Sequence, residues 1–319
     1  MVQGSQGFVE DPRNDRVLIY VNGDLVPRPD ARVSVFDAGF VLGDGVWEGF
    51  RLVKGRVAFL DRHLDRLDQG AKAIALDLGM DRVALTEALY RTIKANAMVD
   101  GVHIRLMVTR GIKRTPNQDP RYTIGPATLV IVAEWKEPNP AVKMKGLNLF
   151  TATIRTTPPD MFDMRINSHS RLPLIMALNQ ALAAGADEAL MLDPHGFVAS
   201  CNATNFFIVR GGALWTSTGR FSFNGITRGN VIALAEANGI PVLQKDFTLS
   251  EVYGADEAFA TGTFGGVTPV AKVDGRAIGS VPGPVTQRLD GLYRALLAAE
   301  GVPAKEKGRP AKGPARRKG

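Results

Sequence analysis

At Glu137-Pro138-Asn139-Pro140 a β-rich run stops, and the fold has to divide there. The run itself, Ala127-Thr128-Leu129-Val130-Ile131-Val132-Ala133, is continuous and apolar enough to lie at the centre of a sheet. Proline has no N–H for a ladder and fixes φ, so closely spaced prolines end the strand and open a connection. The sequence therefore predicts a small N-terminal α/β domain over residues 1–136, a linker at 137–145, a larger C-terminal α/β domain over 146–302 and a disordered basic tail at 303–319.

Within the first part, Val17 to Val21, then Asn22-Gly23, then Leu25-Val26 read as a β-hairpin with a type I′ turn. Apolar residues at Leu64, Leu67, Ala71, Ile74 and Ala75 keep helical spacing, and Val83 to Ala95 repeats it. Val102 to Val108 alternates as a half-buried strand. Beyond the break, Leu147 to Ile154 reads as a strand and Leu172 to Ala184 as a helix. Glu188 to Leu192, Asn205 to Val209 and Ala213 to Thr216 read as strands, and Arg228 to Asn238 as a helix capped by Thr227 and ended by Gly239. This order implies an α/β protein of the α+β type with antiparallel or mixed sheets. No Gly-x-Gly-x-x-Gly opens a helix after a strand, so a doubly wound dinucleotide fold is not indicated.

Charge and cysteine content narrow the chemistry. Of a net charge of +7, six units fall in residues 305–319, where seven basic residues face Glu306 alone. That segment cannot bury enough surface to fold; weak contact with an acidic partner or nucleic acid through it is the functional alternative. The single cysteine, Cys201, excludes an internal disulfide, and with four scattered histidines no metal site is expected. No stretch is long and apolar enough for a membrane helix, and the start lacks a signal-like pattern, so a cytoplasmic location is expected.

Two segments carry ligand chemistry. In Phe223-Asn224-Gly225-Ile226-Thr227-Arg228, a glycine turn delivers unpaired N–H groups at a helix start beside a threonine hydroxyl, a means of holding phosphate, although capped helices without a ligand share the pattern. Thr261-Gly262-Thr263-Phe264-Gly265-Gly266 is either a tight turn between strands or a place of close backbone approach to a ligand.

Together with Val33-Ser34-Val35-Phe36-Asp37-Ala38-Gly39-Phe40 and Gly43-Asp44-Gly45-Val46-Trp47-Glu48-Gly49-Phe50-Arg51, these segments resemble the class IV aminotransferase family of branched-chain and D-amino-acid aminotransferases and aminodeoxychorismate lyase. The resemblance runs from about Val17 to Leu297. It implies a fold type IV pyridoxal-phosphate (PLP) protein, a homodimer with the cofactor between two domains and with a small amino acid and a 2-oxo acid as substrates. Arg51 would grip the cofactor phosphate with Ile226, Thr227 and Thr263. Phe36, His103, Arg105 and Phe264 would face substrate, Arg105 taking a carboxylate or else forming an ion pair, and Arg171 would stand near the ring hydroxyl. Thr115 and Asn117 occupy the place of the carboxylate-binding His and Arg of D-amino-acid aminotransferases, which argues against that subtype.

Two positions depart from the family. Asn167 stands where the Schiff-base lysine belongs, and no lysine occurs between 146 and 244 to replace it. A carboxamide nitrogen is neither a nucleophile nor a base, because its lone pair is delocalised. Ser200 stands where a glutamate would keep the pyridine nitrogen protonated. An engineered inactivation would account for Asn167 but not for Ser200. The resulting expectation is PLP held non-covalently or not at all, with transamination severely reduced or altered. The alternatives are PLP-independent acid–base or thiol chemistry, with Cys201 and His169 flanking the site, and a non-catalytic ligand-binding or regulatory role.

Overall fold

The computed structural model describes residues 4–300; the basic tail of 303–319 lies outside them. The N-terminal part is built on an antiparallel sheet of β1 (Leu18–Val21), β2 (Asp24–Pro27), β3 (Gly45–Val53), β4 (Arg56–Val57), β5 (Val102–Thr109) and β6 (Thr128–Trp135), in the order β2-β1-β6-β5-β3-β4. The hairpin forms as its Asn-Gly turn requires, with Asn22 and Gly23 both at positive φ. A short α1 (Ala38–Leu42) precedes β3; α2 (Leu60–Ala73) and α3 (Arg82–Ala95) follow β4. Leu64, Leu67 and Ala71 of α2 and Leu85, Leu89 and Ile93 of α3 join Phe50, Ile104, Leu106 and Ile131 of the sheet in one core.

The predicted linker is partly helical: Asn139 caps α4 (Pro140–Lys145), its side chain accepting from Ala141 N. Proline is well placed at the first turn, where its missing N–H costs nothing. The remaining strands are β7 (Leu147–Thr151), β8 (Glu188–Leu192), β9 (Val198–Cys201), β10 (Asn205–Arg210), β11 (Ala213–Thr216), β12 (Val242–Gln244), β13 (Glu257–Gly262), β14 (Gly266–Val273) and β15 (Arg276–Ala277). They form a second, mixed sheet in the order β12-β11-β10-β13-β14-β7-β8-β9, with β15 on β14 and parallel pairs at β11/β12, β14/β7 and β7/β8. Helices α5 (Pro159–Phe162), α6 (Leu172–Ala183), α7 (Ile226–Ala237), α8 (Leu249–Tyr253) and α9 (Pro284–Glu300) complete the described chain.

One sequence expectation is corrected here, and strands such as β3 and β9 were not expected. The strand β9 went unread, since Val-Ala-Ser-Cys shows neither length nor alternation, yet all four residues are buried. The cap of α7 is Gly225, in the extended region, and Thr227 lies inside the first turn, so the helix begins before Arg228 and ends at Ala237. None of the helices is long and apolar enough to cross a membrane, among the described residues.

Candidate functional site

The start of α7 is shaped by Asn205 on β10. Its Nδ2 donates to Phe223 O at 2.6 Å and its Oδ1 accepts from Gly225 N at 3.2 Å. A Cβ at residue 225 would stand 2.5 Å from that Oδ1, so the turn requires glycine. With Gly225 as cap, the amides of Ile226 and Thr227 belong to the first turn and lack intrahelical acceptors. Ile226 and Thr227 line a narrow cavity together with Arg51, Thr263, His63 and Tyr293. The four residues expected to hold phosphate thus share one cavity, and Thr227 Oγ1 lies 3.3 Å from the Tyr293 hydroxyl. The Gly/Thr segment forms the turn joining β13 to β14, and its Thr263 lines this cavity.

Arg51, on β3, donates to Lys136 O at 2.6 Å and sits 5.8 Å from the centre of the buried Phe264 ring. Burial lowers its pKa, opposed by the charges of Glu137 and Asp100. His103, beside it on β5, meets Phe264 edge-on at 5.5 Å. Burial first, then Lys136, Arg51 and Arg105, push its imidazole down to about 3, so His103 is neutral. Lys136, which sequence reading passed over when seeking a substitute amine, holds its Nζ 5.0 Å from the Phe264 ring and 4.3 Å from the Phe8 ring.

Asn167 is buried and held at both ends of its side chain. Trp47 N donates to its backbone oxygen at 2.9 Å, its Nδ2 donates to Trp47 O at 2.6 Å, and its Oδ1 accepts from Arg171 Nη2. Arg171 packs near both Trp47 and Phe223, with its buried Nε unpartnered; burial lowers its pKa to about 10, with Arg105 and Arg66 adding to the shift. Arg105 stacks on Trp47 at 3.8 Å and has no carboxylate partner among the described residues, so the ion-pair alternative is not realised. Glu48, fully buried on β3, accepts from Arg66 through both oxygens at 2.7 Å and lies 2.7 Å from His63 Nδ1. Ser200, on β9, donates its hydroxyl hydrogen to Thr204 O at 2.7 Å.

Phe36 is 42% exposed before α1, and Thr115 and Asn117 lie on an exposed loop. Cys201 is packed with Leu190, Val198 and Phe206, where burial raises its thiol pKa, so a reactive thiolate is not built. His169 is held instead at β3, its N–H donating to Gly45 O at 3.0 Å, its Nε2 buried without a partner and its pKa lowered chiefly by burial. Sequence reading missed His63, Arg66, Lys136 and Tyr293. Only His63 left a signal, a polar residue in register with the apolar stripe of α2 that includes Leu67 and Gly70.

Comparison with known proteins agrees with this architecture. The profile described as amino-transferase class IV matches residues 45–273. Branched-chain-amino-acid aminotransferase-like protein 2 of Arabidopsis thaliana is 41% identical over 296 residues, covering 92% of this chain and 52% of that protein. The chain thus spans about half the length of that relative. The branched-chain-amino-acid aminotransferase of Pseudomonas aeruginosa is 33% identical over 292 residues, covering 89% and 94%. Among solved structures, the Thermoproteus uzoniensis branched-chain aminotransferase with norvaline superposes with a TM-score of 0.81 at 32% identity, covering 89% of this chain and 95% of that one. The Escherichia coli branched-chain amino acid aminotransferase gives 0.82 at 26% identity, covering 89% and 96%. With its mixed α+β architecture and a match spanning most of its length, the chain belongs to the class IV aminotransferase family.

Proposed function

We propose that this chain holds PLP by its phosphate, without a covalent bond at position 167, and carries out amino-group transfer between a small amino acid and a 2-oxo acid only at a severely reduced rate. The observation that supports this reading is the state of Asn167, whose carboxamide is bound at both ends to Trp47 and Arg171, at the position where the family resemblance implies an amine. The residues present fit a phosphorylated ring in one respect and not in another. Helix N–H groups at Ile226 and Thr227, the Thr263 hydroxyl and Arg51 around one cavity suit a dianion. The unpartnered Nε of Arg171 and the free fork of Arg105 suit a further oxyanion.

When bound, PLP supplies an electron-withdrawing ring that spreads charge away from a substrate carbon. The chain's own residues would orient and hold it. Trp47 and Phe223 flank the Arg171 guanidinium, while neutral His103 and Phe264 close the side toward Lys136. No basic atom of Asn167 is available to move a proton, which typically costs 10²- to 10⁴-fold in rate. Ser200 is tied to Thr204 O and offers the ring nitrogen no carboxylate.

Assembly as a homodimer is part of the same reading. Phe36, Phe40, Ile112 and Ile124 are exposed on neighbouring segments, joined where Lys113 N donates to Phe36 O and Ile124 N to Ile112 O. Apolar groups gathered in this way favour a protein partner, here a second copy. We place the protein in the cytoplasm and assign the pocket residues Arg51, Ile226, Thr227 and Thr263 to phosphate.

The test is the visible spectrum of the purified chain before and after added PLP, followed by dialysis and borohydride. Cofactor that binds, dialyses away and is not fixed by borohydride supports the proposal. Ordinary turnover of an amino acid overturns the reduced-rate reading, and a chain that ignores PLP overturns the phosphate reading in favour of a PLP-independent role.

A further inference from the structure

One wall of the cavity belongs to a residue that nothing above has given a task. His63, on α2, is 1% exposed and lines the cavity with Arg51, Ile226, Thr227 and Thr263. Its Nδ1 is 2.7 Å from Glu48 Oε2, and its ring packs against Phe50 with centroids 4.8 Å apart. Burial pushes the Glu48 carboxyl up, but hydrogen bonds and charge from Arg66 and His63 outweigh it and leave the group below its usual range, hence ionised. A carboxylate only accepts, so Nδ1 carries the ring hydrogen and the neutral imidazole has its lone pair at Nε2. Nε2 makes no hydrogen bond to the protein among the described residues.

We propose that His63 is a phosphate-binding residue whose Nε2 takes up one proton from solvent when a phosphate monoester enters the cavity. This rests on the phosphate reading given above and adds a binding group and a proton to it. A lone pair turned toward a dianion repels it; the same nitrogen protonated becomes a charge-assisted donor while Nδ1–H keeps Glu48. The only bond formed is N–H, and the proton comes from water.

The surrounding groups explain why the free imidazole stays neutral. Arg62 and Arg66 on its own helix, Arg51 on β3 and His103 on β5 face it, together with Glu48; Tyr293 from α9, Thr227 from α7 and Thr263 from the β13–β14 turn are uncharged. Burial comes first in lowering the His63 pKa, and the cations Arg66 and Arg62 add to it, with Glu48 opposing. Glu48 is already shared with Arg66 through two 2.7 Å bonds. Two negative charges from a phosphate reverse that balance. The free value lies below the ordinary histidine range and the occupied value above it, so proton uptake occurs between the two, and affinity declines as pH rises through that window.

Calorimetric titration of the full chain with pyridoxal 5′-phosphate, in two buffers of different ionisation enthalpy across about pH 6 to 8, reads the proton directly. The expected result is a buffer-dependent enthalpy corresponding to uptake of up to one proton per site, diminished in His63→Gln, whose amide can donate without titrating. Protonation of the ligand ring contributes equally to both proteins, so the difference belongs to His63. Buffer-independent enthalpy in the unaltered chain, or equal uptake in the variant, overturns the inference while leaving phosphate binding intact. Absence of any binding overturns the phosphate reading and this inference together. Buffer-independent enthalpy in the unaltered chain overturns the inference even where the variant proves unstable, and His63→Asn then supplies the comparison for a positive result.

Discussion

Trp47 and Asn167 exchange two hydrogen bonds: the Trp47 amide donates to the Asn167 oxygen at 2.9 Å, and Asn167 Nδ2 donates to the Trp47 oxygen at 2.6 Å. The indole adds a third tie, Nε1 donating to Ser168 O at 3.0 Å. Position 167 is therefore a bracket between the C-terminal part and β3. A lysine placed there loses the bond to Trp47 and stands beside the Arg171 guanidinium. Asn167→Lys is expected to destabilise the chain by about 1–3 kcal/mol, read by urea unfolding. It should also gain a borohydride-fixed PLP adduct at residue 167, read by mass spectrometry of the reduced protein, whereas the parent gains none there or at Lys136.

The Glu48–His63–Arg66 group predicts a large structural effect. Glu48→Gln removes the only carboxylate, among the described residues, that holds buried His63 and half-buried Arg66, leaving Arg66 without its counter-charge. Breaking a buried pair in this way costs about 3–5 kcal/mol. A denaturation midpoint within error of the parent would contradict the role given to Glu48.

Stability should fall in mild acid because several histidines are held neutral in the folded chain. The pKa of His103 is depressed to about 3, from 6.5 in an exposed chain, first by burial and then by Lys136 and Arg51. A depressed histidine contributes its full stability above the unfolded value, and the contribution is lost as pH falls from 6.5 toward about 3, since the unfolded state binds the proton first. His63 and His169 shift in the same direction, burial again being the first cause. Urea midpoints measured between neutral pH and pH 5 should decrease, and less so in His103→Gln.

Cys201 should behave as a core residue. Burial, then the nearby Glu188 charge, raise its thiol pKa. Alkylation by iodoacetamide should be negligible in the folded chain and should appear with the unfolding transition in urea. Fast native labelling would restore the thiol-chemistry alternative.

What could be read from residues alone follows from range. The strands β5 and β6 announce themselves by alternation and by a β-branched run, and the helical faces of α2 and α3 by their spacing. The Gly225 turn and the Thr263 segment were visible for the same reason, since each is a local pattern. Arg66, Lys136 and Tyr293 carry no local mark, because what matters about them is contact across tens to hundreds of residues: Arg66 with Glu48, Lys136 with Phe264, Tyr293 with Thr227. The reading of Thr227 as a cap failed for the opposite reason: a good capping residue stood two positions inside a helix whose start was set by Asn205 on another strand.

The stacking of Arg105 on Trp47, with Arg171 nearby, has an optical corollary. The chain has three tryptophans, and those at 135 and 215 lie under Arg13 and Lys245 instead. The Trp47 indole is thus the one of the three that lies beneath Arg105 and Arg171, and its emission should report any guest that displaces the Arg105 guanidinium from its face.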